Sequence, residues 1–253
     1  MNFIGLKTLY MKEMNRTLAI PMQTILSPVI STMLYFVVFG GAIGASISEI
    51  GGVTYAQFIV PGLIMMSLII NSLSASSSGI FFPKFMGTIY ELLTAPLSYF
   101  EITLGYVLSA ATRAMVIGFI IYITALFFTP VTIVHPFIAL GFSMLTALAF
   151  ALFGFVIGIW AENFEKLNIF PALIITPLSF LGGVFYSLHM LSPFWQTVSL
   201  ANPVVYMISG LRWSFFGVSD MSPMISFSLI CAFLALCSVV LVWIFKTGYR
   251  LKQ

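Results

Sequence analysis

Long apolar stretches interrupted by a few charges set the pattern of this chain. No charged residue falls between Thr17 and Ser48, and after Glu49 the chain is again uncharged to Pro83. After Glu101 the only charge before Glu162 is Arg113. Leu167 to Leu211 carries none, and after Asp220 the run is uncharged to Phe245. Crossing roughly 30 Å of hydrocarbon takes about 20 apolar residues in a helix. The pattern predicts six spans at about 21–44, 56–80, 102–128, 136–160, 167–187 and 224–246. Thr129-Pro130 and His135-Pro136 separate the third span from the fourth, because a proline favours extended backbone before it. Backbone polar groups in lipid must be satisfied within the segment, so the spans are expected as α-helices.

Three stretches depart from this pattern. In residues 1–20, Phe3, Leu6, Tyr10, Met14 and Leu18 recur at three- and four-residue spacing, while Lys7, Lys12, Glu13 and Arg16 occupy other positions. This predicts an amphipathic helix lying in the membrane interface. Residues 84–94 predict a second, shorter one. Phe85, Ile89, Leu92 and Leu93 share a helical face, Lys84, Thr88 and Glu91 share another, and Pro96 stops it. The uncharged run 167–211 is too long for one span and too short for two with a loop. Gly182-Gly183, Pro193 and Pro203 punctuate it. They predict a span, a bend, and a re-entrant hairpin over 188–213 with short helices at about 192–200 and 203–213. Backbone that dips into a membrane in this way must be buried by protein or reached by water.

Composition excludes a soluble protein. Apolar residues make up 60% of the 253 and charged residues 7%, against about 25% charged in soluble domains. Six spans leave little chain for a separate soluble domain. The net charge of +3 is scattered, so no nucleic-acid partner is expected and the basic residues report orientation instead. With the N-terminus inside, Lys7, Lys12, Arg16, Lys84, Lys166, Lys246, Arg250 and Lys252, eight of the ten, fall on the cytoplasmic side. This predicts cytoplasmic N- and C-termini. The first apolar run is too long for a cleaved signal peptide, and five more spans follow. Cys231 and Cys237 both lie in the last apolar run, so no disulfide framework is expected.

Three motifs then carry a resemblance that covers nearly the whole chain. They are ELLTAP from Glu91 to Pro96, GGVFYS from Gly182 to Ser187, and NPVVYMISGLR from Asn202 to Arg212. In this order and at this spacing around six spans, the chain resembles the type-2 ABC transporter permeases, bacterial inner-membrane exporters of the short, single-module kind. Where many relatives have proline soon after the aromatic of the Gly-Gly motif, this chain has Ser187-Leu188 and delays it to Pro193. The resemblance implies that 84–94 is a coupling helix docking on a separate ABC ATPase. Lys84 and Glu91 then face the partner, and Phe85, Ile89 and Leu93 hold the helix to the permease. It also implies that Gly182, Gly183, Phe185, Asn202, Pro203 and Arg212 belong to an outer hairpin that gates the path. Two copies of the permease and two ATPases are expected, with ATP and magnesium bound only in the partner.

The chain has no G-x-x-x-x-G-K-[ST] phosphate loop, no G-x-S-x-G elbow and no histidine cluster, since His135 and His189 stand alone. No catalytic residue, cofactor or metal site is therefore expected in it. Arg113 falls near mid-membrane, where a cation costs at least ~2.5 kcal/mol on insertion scales. It is expected as a polar anchor between helices, in preference to a substrate contact. Two other functions remain in view at this stage. The VPGLIMM and FPALIIT segments of spans two and five hint at the internal repeats of ion-coupled carriers, but such carriers should hold carboxylates near the midplane. A non-transporting scaffold would need no coupling helix. The expected function is the permease subunit of an ATP-driven exporter of a hydrophobic or amphipathic substrate, drug-like or a lipid-linked saccharide.

Overall fold

The computed structural model describes residues 2–44 and 49–250; Lys252, assigned above to the cytoplasmic side, lies outside them. Helix α1 (Phe3–Ala19) leads into the first span, α2 (Met22–Gly41). A two-stranded antiparallel hairpin, β1 (Glu49–Ile50) and β2 (Val53–Thr54), precedes α3 (Tyr55–Phe85). Then come α4 (Ile89–Thr94), α5 (Tyr99–Leu126), α6 (Pro136–Trp160) and α7 (Phe164–Leu181). Helices α8 (Pro193–Leu200), α9 (Pro203–Phe216) and α10 (Pro223–Thr247) complete the chain. Among the described residues six helices are long and apolar enough to cross a membrane, so this is an all-α polytopic membrane protein.

Local chemistry sets most helix starts. Thr54 and Gln57 form a reciprocal capping box at α3, and Ser98 and Glu101 form another at α5. Asn163 caps α7 through the Lys166 amide. Pro136 and Pro223 occupy first turns, where no amide hydrogen is needed. Gly217 and Gly248, both left-handed, end α9 and α10.

The bundle is built around α3, of which 89% of the spanning window is buried. Its principal partner is α6, and the contact is a backbone approach through Gly154 and Gly158. A Cβ on Gly154 would stand 2.3 Å from the Leu73 carbonyl oxygen, and one on Gly158 would stand 2.4 Å from that of Ser77. This small-xxx-small spacing is how helices pack closely in lipid, where hydrophobicity supplies no driving force between them. By contrast α2 and α10 are only 22% buried and α7 only 17%. Wide, π-type turns run through Met22–Leu26, between Pro21 and Pro28, through Phe36–Ile43, and through Phe170–Ile175, which contains Pro171.

Several boundaries differ from expectation. The second span runs on to Phe85 and absorbs the first residues of the expected 84–94 helix. The break comes at Gly87, whose φ of 75° is left-handed, and only Ile89–Thr94 forms the short helix. The fifth span ends at Leu181, six residues earlier than expected, because Gly183 turns the chain with φ 82°. The hairpin helices fall where expected, with α9 three residues longer. In α1 the buried stripe is Leu9, Glu13 and Thr17, while Phe3 and Leu18 are exposed. Leu9 packs where a Cβ on Gly105 would stand 2.7 Å from it, so a groove on α5 selects the buried face.

Candidate functional site

Two regions at opposite ends of the bundle gather the residues singled out above. At the end shared by α1 and the described C-terminal residues, α4 hangs beneath α3 and α5. Ile89 is buried, and Leu92 and Leu93 pack with it in a cluster containing Leu9, Ile102 and Tyr106. Tyr90, Glu91 and Thr94 face outward. Glu91 thus stands on the free face, and Ile89 and Leu93 hold the helix to the rest of the chain. Asn2 ties α1 to the same region. Its side chain donates to the Pro96 carbonyl at 3.2 Å, and its amide donates to Glu101.

Lys84 and Phe85 do not belong to that free face. The Lys84 ammonium turns inward and donates to the Ile159 and Ala161 carbonyls at the end of α6. Those carbonyls are the unsatisfied acceptors that a helix C-terminus leaves, and a cation there also matches the helix dipole. Phe85 stacks with Phe81 and meets Phe164 at a centroid distance of 5.0 Å. It therefore joins α3 to α7 rather than holding α4. Their positions on the expected amphipathic helix assumed one continuous helix, and the turn at Gly87 separates them from it. Beside them Glu162 accepts from Lys166 and pairs with Arg250 at 2.8 Å. The Lys166 hydrogen bond and then the Arg250 charge hold its carboxyl below the ordinary carboxylate value. Because the folded value is the lower one, this clamp contributes above the ordinary carboxylate range and is lost as pH falls through it.

At the opposite end, Gly182–Ser187 crosses the top of α3. A Cβ on Gly62 would stand 2.8 Å from the Val184 carbonyl oxygen, and the Tyr55 hydroxyl donates to the Phe185 carbonyl at 3.0 Å. The Phe185 ring stacks on Phe39 of α2 at 4.0 Å. Arg212, expected in the outer hairpin, is 4% exposed. Its Nη2 donates to the Gly183 carbonyl at 2.7 Å, and its Nη1 approaches the Asp220 carboxylate at 3.4 Å. The guanidinium lies 3.8 Å over the Phe58 ring. Asp220 also accepts from the Ser187 hydroxyl at 2.6 Å. The bend, the returning helix and the chain after it are thus held by one ion pair. Sequence reasoning missed Asp220. Its only signal was an acid eight residues beyond the arginine, a spacing that brings the two together only because Gly217 reverses the chain.

Asn202 and Pro203 start α9 as their residue types predict. The Asn202 side chain accepts from the Val204 amide at 3.0 Å and donates to the Leu178 carbonyl at 2.6 Å. One side chain thus caps α9 and fastens it to α7. Asn202→Ala is expected to cost about 2 kcal/mol, half from the cap and half from the Leu178 bond. Asn202→Ser, which keeps a capping oxygen but not the amide donor, should recover part of that. Thermal unfolding of the purified proteins checks the order, and an unchanged midpoint for the alanine variant would refute it. Arg113, at the middle of α5, reaches the Thr24 carbonyl at 3.4 Å.

Comparison with known proteins identifies the family. The chain is 39% identical over 252 residues to the inner membrane transport permease YadH of Escherichia coli K12, covering 99% of this chain and 98% of that protein. It is 28% identical over 195 residues to nodulation protein J of Neorhizobium galegae, covering 73% of this chain and 71% of that one. Nodulation protein J of Rhizobium meliloti is 26% identical over 198 residues, with 76% and 74% covered. The family model described as ABC-2 type transporter matches residues 5–216, and this six-span, all-α membrane protein belongs to that family of transport permeases.

Proposed function

We propose that the chain is the membrane-spanning subunit of an ATP-driven exporter in the bacterial inner membrane. Two copies pair with each other and with two copies of a separate ABC ATPase, which binds ATP and magnesium. Both termini face the cytoplasm, and the cargo is hydrophobic or amphipathic. The observation that carries this reading is α4, a short helix seated by Ile89, Leu92 and Leu93 with Tyr90, Glu91 and Thr94 left outward. A push on its free face passes through Ile89 to Ile102 on α5 and Leu9 on α1. ATP binding in the partner thereby moves the spans and changes which side of the membrane the path opens to. The positive-inside count supports the orientation. The locked segment from Gly182 to Asn202 suits the outer gate.

The exposed faces support the pairing. Helices α2 and α10 are buried to the same extent, yet α10 is the most apolar span and exposes Phe227, Leu236, Val239 and Val242, as a lipid-facing helix should. Helix α2 instead exposes Gln23, Ser27 and Ser31, a polar stripe at four-residue spacing. Polar side chains in a span face protein or a water-filled path rather than lipid. Helix α7 is the least buried and least apolar span, so it too has a large free face. The cargo path in this reading runs between two copies along α2.

Glu91→Lys is expected to leave the fold and complex intact while abolishing most cargo stimulation of ATP turnover, since a charge at an interface rim sets encounter and register. Ile89→Ala empties a buried site and should cost about 2–4 kcal/mol locally, loosening the seat of α4 and lowering export further. ATPase activity and export by reconstituted complexes check both. If neither variant alters coupling or assembly, α4 is only a surface helix and the reading loses its mechanism.

A further inference from the structure

The middle of the third span holds a cation with almost nothing to answer it. Arg113 lies 14 residues from Tyr99 and 13 from Leu126, roughly 20 Å along the helix from either end at 1.5 Å per residue. Its one hydrogen bond in the described structure is the long 3.4 Å contact to the Thr24 carbonyl. Its Nε is buried and has no partner.

A cleft of about 270 Å³ opens beside the guanidinium between α2, α3 and α5. Gln23, Ser27 and Ser31 line its α2 wall, and Ser67 and Asn71 its α3 wall. Asn71 donates to the Ser67 hydroxyl oxygen at 3.1 Å, which leaves that hydroxyl its own proton to give. No aspartate or glutamate lines the cleft. Arg16 does not line it and is itself paired with Glu13 at 2.7 Å. The walls therefore offer donors and positive charge without an anion. Leu63, Met66 and Ile70 add an apolar side to the same cleft, so polar and apolar surfaces adjoin within it.

We propose that Arg113, with the hydroxyls of Ser27, Ser31 and Ser67, binds the anionic headgroup of an amphipathic cargo, a phosphate or a carboxylate. The cargo's hydrocarbon lies against the apolar side and along α2. This rests on the reading that the path runs beside α2, and it narrows the cargo from hydrophobic compounds in general to amphipaths with a negative head. Guanidinium is suited to this role, since its planar fork meets carboxylate and phosphate oxygens in pairs and stays charged in a poorly solvated place.

The test uses the purified chain in dodecyl maltoside, with Cys231 and Cys237 replaced by alanine and Gln23→Cys, on the α2 wall of the cleft but not among the proposed ligands, as a maleimide target. Dodecyl phosphate is expected to slow labelling about tenfold, the effect of one charge-assisted hydrogen bond on occupancy. Dodecyltrimethylammonium, of equal chain length and opposite charge, should leave the rate unchanged. Arg113→Gln should abolish the protection and Arg113→Lys should keep part of it. Equal protection by the phosphate and the ammonium, or undiminished protection in Arg113→Gln, would overturn the site. Protection by inorganic phosphate at the same concentration as dodecyl phosphate would overturn the amphipathic cargo. Should Arg113→Gln fail to fold, the phosphate-against-ammonium comparison on the Arg113 protein decides alone. No ATPase takes part, so absence of protection in a chain that still couples to an ATPase removes this inference only, while protection in a chain that assembles with no ATPase in cells removes the exporter reading only.

Discussion

Arg212→Ala should lower the stability of the purified protein by about 3–5 kcal/mol, the usual result of removing one member of a buried ion pair. The side chains of Arg212 and Asp220 are 5% and 13% exposed, so solvent screening relieves little of this. The alanine variant leaves the Gly183 carbonyl without its 2.7 Å donor and the Asp220 carboxylate without a counter-charge. It also opens a void over the Phe58 ring. Arg212→Lys keeps the charge but not the fork that reaches Gly183 and Asp220 together, and it should recover less than half of the loss. Asp220→Asn, which leaves Arg212 buried and unpaired, should cost a similar amount to the alanine variant. The double variant should cost less than the two singles summed, because they share one interaction. Thermal unfolding in detergent measures all four. Additive losses would show that the two residues stabilise the bend independently.

Gly154→Leu is expected to prevent the bundle from assembling. Even a methyl group at that position would stand 2.3 Å from the Leu73 carbonyl oxygen, and the obstacle is backbone, which cannot rotate away. Helices α3 and α6 would have to separate along the longest contact in the molecule. Overpacking of a yielding core costs about 1–3 kcal/mol, and a backbone obstacle should exceed that range. Gly158→Leu should behave alike, against the Ser77 carbonyl. Gly141 provides the control on the same helix: nothing lies within 4 Å of a Cβ built there. Gly141→Ala should be neutral or stabilising by about 0.5–1 kcal/mol, because alanine loses less conformational entropy in a helix. Yield of monodisperse protein and its unfolding midpoint distinguish these outcomes. Normal recovery of Gly154→Leu would mean that the α3–α6 approach is looser than described.

The charge-free stretches were enough to place six spans, because a bilayer enforces one rule on every segment that crosses it: apolar side chains outside and all backbone hydrogen bonds within. The caps were legible for a similar reason. Asn202-Pro203 starts a helix through contacts reaching only two residues along the chain. The two faces of α4 could also be read, since helical spacing puts Ile89 and Leu93 together and turns Glu91 away. What the sequence could not determine is which faces meet. Arg212 and Asp220 pair only because the chain reverses at Gly217, and nothing in either residue's own segment requires it. Lys84 faces inward because the end of α6 arrives beside it with two free carbonyls, and Phe85 packs on Phe164 because α7 begins there. The buried stripe of α1 is the one containing Leu9 and Glu13, set by the groove at Gly105 on α5 rather than by the helix's own amphipathicity. Gly154 and Gly158 read in isolation as weak points of a helix, and the close approach of α3 makes them its tightest contact. Each of these depends on how separate helices stack, a sum over contacts distant in sequence, whereas the spans, the caps and the faces of α4 depend on neighbours within one turn.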